Sequence, residues 1–424
     1  MTPTSHLSVS QGLRYGLLGL PLAFVALPLY VLLPNHYARE FGVPLAALGG
    51  VLLGTRLLDA LVDPLLGRWS DARWRRSATA LQAWAGAACV LMAAGFALLF
   101  FPPVRETAPL LALSALLLFL TYASFSAAMI AHQSWGALLG GDAPYQSRVV
   151  AWREGLGLVG VLLASVVPVL LGLGAMVALF WAALLAGWLA WRRAPQPAAA
   201  PAAEAGSATV SLWLPLRRSA FRRLLAVFLF NGIASAVPAT LVLFFVQDRL
   251  QAPQALEPVF LGSYFLCAAL SMPLWLRAVR HFGLARSWLA GMLLAVAVFV
   301  WAATLGAGDA LLFVGVCVLS GLALGADLVM PGAMLAGLMA RHGDLGQTQG
   351  AYYGWWNFAT KLNLALAAGL ALPLLALAGY EPGTREPGGL LALTAAYCLL
   401  PCALKLVAAA LLHFFFIRRP KGNP

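Results

Sequence analysis

Arg192-Arg-Ala-Pro-Gln-Pro-Ala-Ala-Ala-Pro201 interrupts a chain that is apolar nearly throughout. Its prolines cannot sit in a continuous helix, and the segment from 192 to 219 reads as a flexible or extended linker. What flanks it decides the fold. A membrane span needs about 20 apolar residues to cross a hydrocarbon core of about 30 Å. Six such runs precede the linker, near 13–33, 44–66, 77–101, 108–131, 151–172 and 174–191. Six follow it, near 221–246, 257–277, 285–305, 309–333, 350–378 and 388–415. The least marked division lies between the fifth and sixth runs, at Leu171 to Gly174. The expected protein is all-α and polytopic: a six-helix bundle over 1–191, the linker over 192–219, and a second six-helix bundle over 220–424.

Composition supports this. Of 424 residues, 62% are hydrophobic and 10% charged, with a mean hydropathy of +0.86. Soluble chains carry roughly 25% charged residues. The net charge of +12 does not gather into one patch, so it speaks for topology and not for a nucleic-acid partner. With both ends on one side, that side and the linker collect 20 of the 27 Lys and Arg residues. The other side has only Arg39, Arg105, Arg249 and Arg385. By the positive-inside rule both termini are expected in the cytoplasm. The five cysteines lie inside apolar runs, with neither disulfide nor metal spacing. The first run is too long for a signal peptide and is expected to be retained.

Inside the second run, Gly54-Thr-Arg-Leu-Leu-Asp-Ala-Leu-Val-Asp-Pro-Leu-Leu-Gly67 places Arg56, Asp59 and Asp63 at membrane depth. Charges there cost a few kcal/mol each and usually serve a substrate or ion path. Asp59 and Asp63 are four residues apart and share a helix face. Two carboxylates so close repel unless a cation or proton joins them. The pair offers oxygen ligands for Na+ or a shared proton site, and the residues leave the choice of ion open. On the structural alternative, Arg56 neutralises Asp59 and Asp63-Pro64 ends the helix, but one arginine cannot neutralise two acids.

Lys361, in the eleventh run, either pairs with the Asp59/Asp63 face or an anionic solute, or snorkels to the interface. Tyr353, Trp356 and Asn357 lie near it at helical spacing, as cavity lining or as packing. In the fourth run, Tyr122, Ser126, Gln133 and Trp135 are candidates to hydrogen-bond or stack on a polar solute. His132 is either a proton carrier or a hydrogen-bonded residue at a helix end. Arg153 opens the fifth run and suits a buried role. In the second half, Asn231 and Gln247 are polar positions, and Asp327 precedes the helix-distorting pair Pro331-Gly332. Lys405 reads as a packing or interfacial residue.

Gly67-Arg-Trp-Ser-Asp-Ala-Arg-Trp-Arg-Arg76 resembles the G-x-x-x-D-R-x-G-R-R loop of the major facilitator superfamily at Gly67, Asp71, Arg75 and Arg76. These four would latch two helices on the cytoplasmic face, with Asp71 capping a helix start or pairing with an arginine. A narrower resemblance runs through both halves. Asp59-x-x-x-Asp63-Pro64-x-x-Gly67, Trp152-Arg153-Glu154, Asp327-x-x-x-Pro331 and Gly350-x-Tyr-Tyr-Gly-x-Trp-x-Phe-x-x-Lys361 are similar to motifs of the glycoside–pentoside–hexuronide:cation symporters. The Gly379-Tyr380-x-Pro382 turn fits as well. The resemblance implies a cation site at Asp59 and Asp63 with a contribution from Lys361. Ala23 and Ser126 stand where the family's galactoside carriers have acids, so galactosides are not expected.

The resulting expectation is a membrane transporter of the bacterial inner membrane, not an enzyme. It would act as a monomer, without a cofactor, coupling Na+ or H+ to symport of a small polar solute by alternating access. A sugar or sugar derivative leads as the solute. Carriage of an organic anion or lipid-like solute, and proton-driven export, are the alternatives.

Overall fold

A computed structural model describes residues 7–198 and 211–418; the middle of the linker, with Arg419 and Lys421, lies outside them. The described residues are helical, without strands. The chain enters through α1 (Val9–Gly16), α2 (Gly19–Phe24) and α3 (Leu33–Glu40), which follow one another closely along the first expected span. Ser8 starts α1 with a capping box, its hydroxyl accepting from the Gln11 N–H while the Gln11 side chain accepts from the Ser8 N–H. α4 (Leu45–Arg76), α5 (Ala78–Phe100), α6 (Thr107–Leu138) and α7 (Ala143–Arg192) complete the first half. The last part of the linker is not extended but holds a short helix, α8 (Leu214–Arg217), and after it come α9 (Ser219–Phe244), α10 (Glu257–Phe282), α11 (Leu284–Ala302) and α12 (Ala310–Arg341). α13 (Gln349–Leu377), α14 (Pro387–Thr394) and α15 (Leu400–Leu412) close the chain.

The expected loop after residue 66 is not a loop. α4 runs on through Gly67 to Arg76, and the break comes at Ser77, whose hydroxyl accepts from the Ala80 N–H and starts α5. The weakly marked division between the fifth and sixth spans falls at Gly172, inside α7, where φ is 83°. A straight 50-residue helix would be about 75 Å long, far more than a bilayer needs. Two contacts show that the chain reverses. Gly160 packs on the Leu20 backbone and Gly187 on the Leu18 backbone, although a straight helix would hold those glycines about 40 Å apart. Only a residue tolerant of positive φ permits so short a turn.

Nine stretches among the described residues are long and apolar enough to cross a membrane, and Ala143–Arg192 is one of them. It crosses twice. With α4 and α13, the described residues hold as many helical segments as the twelve crossings expected, and these two carry the candidate ion-site charges.

The chain forms two compact units. One comprises Met1–Pro215 with Ala336–Phe358, the other Leu216–Leu335 with Ala359–Pro424. This differs from a division at the linker alone: the end of α12 and the start of α13 belong with the first unit. The linker's described ends are also held there. The Trp135 indole N–H donates to the Pro195 carbonyl (3.0 Å), and that of Trp355 to the Leu212 carbonyl (3.0 Å). In the second unit Phe245, Phe313 and Tyr397 pack in one apolar core, with Phe245 and Tyr397 stacked at 4.2 Å. At one end of that core Asp248 accepts from the Tyr380 hydroxyl and the Gly383 N–H, while Arg385 donates to the Asp248 carbonyl. The Gly379-Tyr380-x-Pro382 turn therefore acts as a clasp on the end of the α9 segment.

Candidate functional site

On α4 the polar and apolar faces are inverted relative to a soluble helix. Leu57, Leu58, Leu61 and Leu65 are exposed, whereas Asp59 and Asp63 are buried. An apolar outer face suits lipid, and the carboxylates are turned into protein. Asp59 meets α6, where the Ser126 hydroxyl donates to Asp59 Oδ1 at 3.2 Å. The Arg56 guanidinium lies over the Tyr30 ring and 5.4 Å from the Tyr122 ring. Asp59, Tyr122 and Ser126, expected in an ion site and a solute site, are thus gathered between α4 and α6.

Asp63 lies where α13 crosses α4. A Cβ on Gly354 would fall 2.6 Å from the Asp63 carbonyl oxygen and 2.9 Å from Pro64 Cα. One turn away, Gly350 and Gly67 meet backbone to backbone, so that a Cβ on either would collide with the other's carbonyl oxygen. Gly350-x-x-x-Gly354 is therefore a small-residue stripe of the kind that lets membrane helices touch through their main chains. Replacing Gly354 with alanine should lower the melting temperature by the equivalent of about 1–3 kcal/mol, since the added methyl meets rigid backbone. Gly337, with open space around its Cβ position, is the control: Gly337→Ala should be neutral or stabilising by up to about 1 kcal/mol through helix propensity. Equal thermal melts for both variants would contradict the crossing.

The same crossing is pinned beyond the apolar part of α4. Asp71 Oδ1 accepts the Gly350 N–H (2.6 Å) and Oδ2 the Ala351 N–H (2.9 Å), so its carboxylate caps the start of α13. Helix starts carry unsatisfied N–H groups and partial positive charge, which a carboxylate complements. Burial pushes the Asp71 carboxyl up to about 8, against the opposing pull of those two amides and Arg75. Arg75 Nη1 lies 3.5 Å from the Gln347 carbonyl. Gly67, Asp71 and Arg75 thus come together on α13, while Arg76 is exposed at the helix end.

Arg153 is buried, and its Nε and Nη2 donate to Glu154 Oε1 at 3.0 and 2.6 Å. Tyr15 and Tyr353 are its electrostatic neighbours. His132 is buried with Nε2 2.8 Å from the Tyr15 carbonyl, and the Tyr15 hydroxyl donates to the His132 carbonyl at 3.1 Å. That reciprocal pair ties α1 to α6. Asn357 donates to Gln133 Oε1 at 3.2 Å, joining two expected solute contacts. Trp135 packs between Trp74 and Trp191 with its N–H spent on Pro195, which makes it part of an aromatic core. Trp356 is buried, and Lys361 lies further along α13, half-buried, in the second unit. Among the described residues no group of three or more His, Cys, Asp or Glu forms a metal cluster.

The second unit holds a site that sequence reading shows only in part. Lys405 Nζ is 2.7 Å from Asp327 Oδ2, 2.8 Å from Asn231 Oδ1 and 3.2 Å from Ser235 Oγ. Trp288 Nε1 donates to Asp327 Oδ1 at 2.8 Å. Lys405, which from sequence reads as packing or interfacial, is instead the cation of a buried ion pair. A signal for it exists: Asn231 and Ser235 are four apart on α9 and so share a face, and Lys405 sits deep in an apolar run. Which helices meet is not readable from it.

Residues 14–419 match the family described as MFS/sugar transport protein. No curated protein is detectably similar in sequence. Among solved structures, a bacterial homologue of the iron transporter ferroportin in its outward-facing state superposes with a TM-score of 0.70 at 15% identity, covering 97% of this chain and 100% of that one. The human organic anion transporter MFSD10 (TETRAN) matches with a TM-score of 0.65 at 19% identity, over 95% and 98% of the two chains. The E. coli fucose:proton symporter FucP matches with a TM-score of 0.65 at 16% identity, over 96% and 97%. At these identities the likeness concerns the fold.

Proposed function

The chain belongs to the MFS/sugar transport protein family, and we propose that within it the protein is a symporter coupling Na+ or H+ to uptake of a small polar solute, a sugar or sugar derivative. It is an integral membrane transporter of the major facilitator fold and not an enzyme. The buried Asp59 and Asp63 pair on α4, with the Ser126 hydroxyl on Asp59, is the observation that supports coupling. A carboxylate pair turned away from lipid is worth its desolvation where it takes up a cation or proton. In keeping with the resemblance to the glycoside–pentoside–hexuronide:cation symporters, Lys361 is proposed to take part in coupling. The protein would work as a monomer in a bacterial inner membrane with both termini in the cytoplasm, by alternating access. Arg153 is compensated by Glu154, which weighs for a neutral solute over an organic anion.

A thermal-shift screen of the purified protein tests this, with neutral sugars and carboxylates compared in sodium-containing and sodium-free buffers across pH. A ligand at about 100 times its Kd stabilises by about 2.7 kcal/mol. Stabilisation by a neutral sugar that needs Na+ or low pH is expected. Stabilisation by carboxylates alone, indifferent to both, would overturn the reading.

A further inference from the structure

The Asp327–Lys405 pair lies at the wall of a cavity of about 220 Å³ formed entirely within the second unit. Its other walls are aromatic and aliphatic, chiefly Phe260, Tyr264, Phe265, Phe299 and Tyr397. We propose that this cavity is a binding site for a compact, uncharged molecule with an aromatic body and one hydroxyl or amide donor. It is additional to the coupling site proposed on α4 and does not depend on it.

Charge sets the class of guest first. The ammonium of Lys405 has three N–H donors, and Asp327, Asn231 and Ser235 account for all three. The Ser235 hydroxyl donates onward to the Asn231 carbonyl, so Lys405 has no donor left for an incoming anion. Asp327 accepts one bond on each oxygen, from Trp288 and Lys405, and a carboxylate has about four lone-pair sites. The ion pair can therefore accept a further donor but has no N–H left for a ligand carboxylate, to which the wall offers only the neutral hydroxyls of Tyr264 and Tyr397. The pair also sums to zero charge. A charged guest would bring an uncompensated ion into a low-dielectric wall, which a neutral one avoids.

Size and shape narrow the class. A dry apolar cavity of about 150 Å³ accepts benzene, so the present one admits a ring with a short polar arm. Pockets for drug-sized ligands are larger, roughly 300–1,000 Å³. The aromatic walls favour a ring through offset or edge-to-face contacts. Ala239 is exposed and lines the cavity, which places it at the mouth.

The probe is a trifluoromethyl-diazirine derivative of benzyl alcohol, photolysed with the full chain in lipid nanodiscs and mapped by mass spectrometry. Saturable insertion into peptides containing Tyr264, Phe299 or Tyr397 is expected. Excess benzyl alcohol should suppress it about tenfold or more, whereas benzoate and benzylamine at equal concentration should not, a preference of about 1.4 kcal/mol or more. Ala239→Trp should remove the labelling while leaving the melting temperature near that of the parent. In Asp327→Asn the wall becomes cationic, so benzoate should begin to compete. If that variant does not fold, the parent competition and Ala239→Trp decide. Non-saturable labelling, competition by benzoate or benzylamine as strong as by benzyl alcohol in the parent, or labelling unchanged in Ala239→Trp would overturn the proposal.

Discussion

Lys405→Met is expected to destabilise the protein by about 3–5 kcal/mol, while the double variant Lys405→Met/Asp327→Leu recovers most or all of that loss. The asymmetry follows from how the pair is built. The side chains of Lys405 and Asp327 are only 6% and 11% exposed and their charged atoms are 2.7 Å apart. Removing the ammonium strands the Asp327 carboxylate with one neutral donor, Trp288, at the wall of a mainly apolar cavity. Removing both charges takes away the attraction together with the desolvation it offsets. Asn231 and Ser235 lose a partner in both variants, so their contribution cancels in the comparison. Thermal melts of the purified variants measure the effect. A double variant as unstable as the single one would show that the pair holds the bundle together by geometry, not by charge balance.

The second large effect concerns transport. Asp59→Asn and Asp63→Asn should each abolish cation-driven accumulation, bringing the internal-to-external solute ratio in proteoliposomes to about one, the limit for an uncoupled carrier. The two should differ in side effects. The amide introduced by Asp59→Asn keeps an oxygen for the Ser126 hydroxyl, so that variant should fold and bind solute. At position 63 the main chain meets Gly354, a contact that Asp63→Asn does not alter. Loss of accumulation with retained solute binding thus separates coupling from folding. Either variant still concentrating solute against its gradient would remove that residue from the coupling site.

The two acidic sites differ in how far the sequence alone reveals them. The Asp59/Asp63 pair is readable because helical periodicity puts residues four apart on one face whatever the helix packs on. Their burial is readable too, since lipid excludes ionised groups. The partnership of Asp327 with Lys405 is not, because they are 78 positions apart and on different helices. Trp135 departs from expectation for a related reason. An indole near polar residues suggests a ligand platform, but Trp74 and Trp191, brought in from α4 and α7, enclose it.

What the chain determined by itself was its solvent and its count of crossings, since hydropathy and the distribution of Lys and Arg act locally, run by run. The turn at Gly172 was nearly within reach, because a span of excessive length must reverse somewhere and glycine readily tolerates φ of 83°. Tertiary structure decided the rest. Glycines at 67, 350 and 354, like those at 160 and 187, differ from the glycines with open space around them by facing another backbone, and Asp71 becomes a cap only once α13 presents its first N–H groups. Close approach and hydrogen-bond partnership are properties of pairs of helices. No stretch of one helix encodes them alone, and so the linker that announced two halves did not by itself mark the extent of the first compact unit.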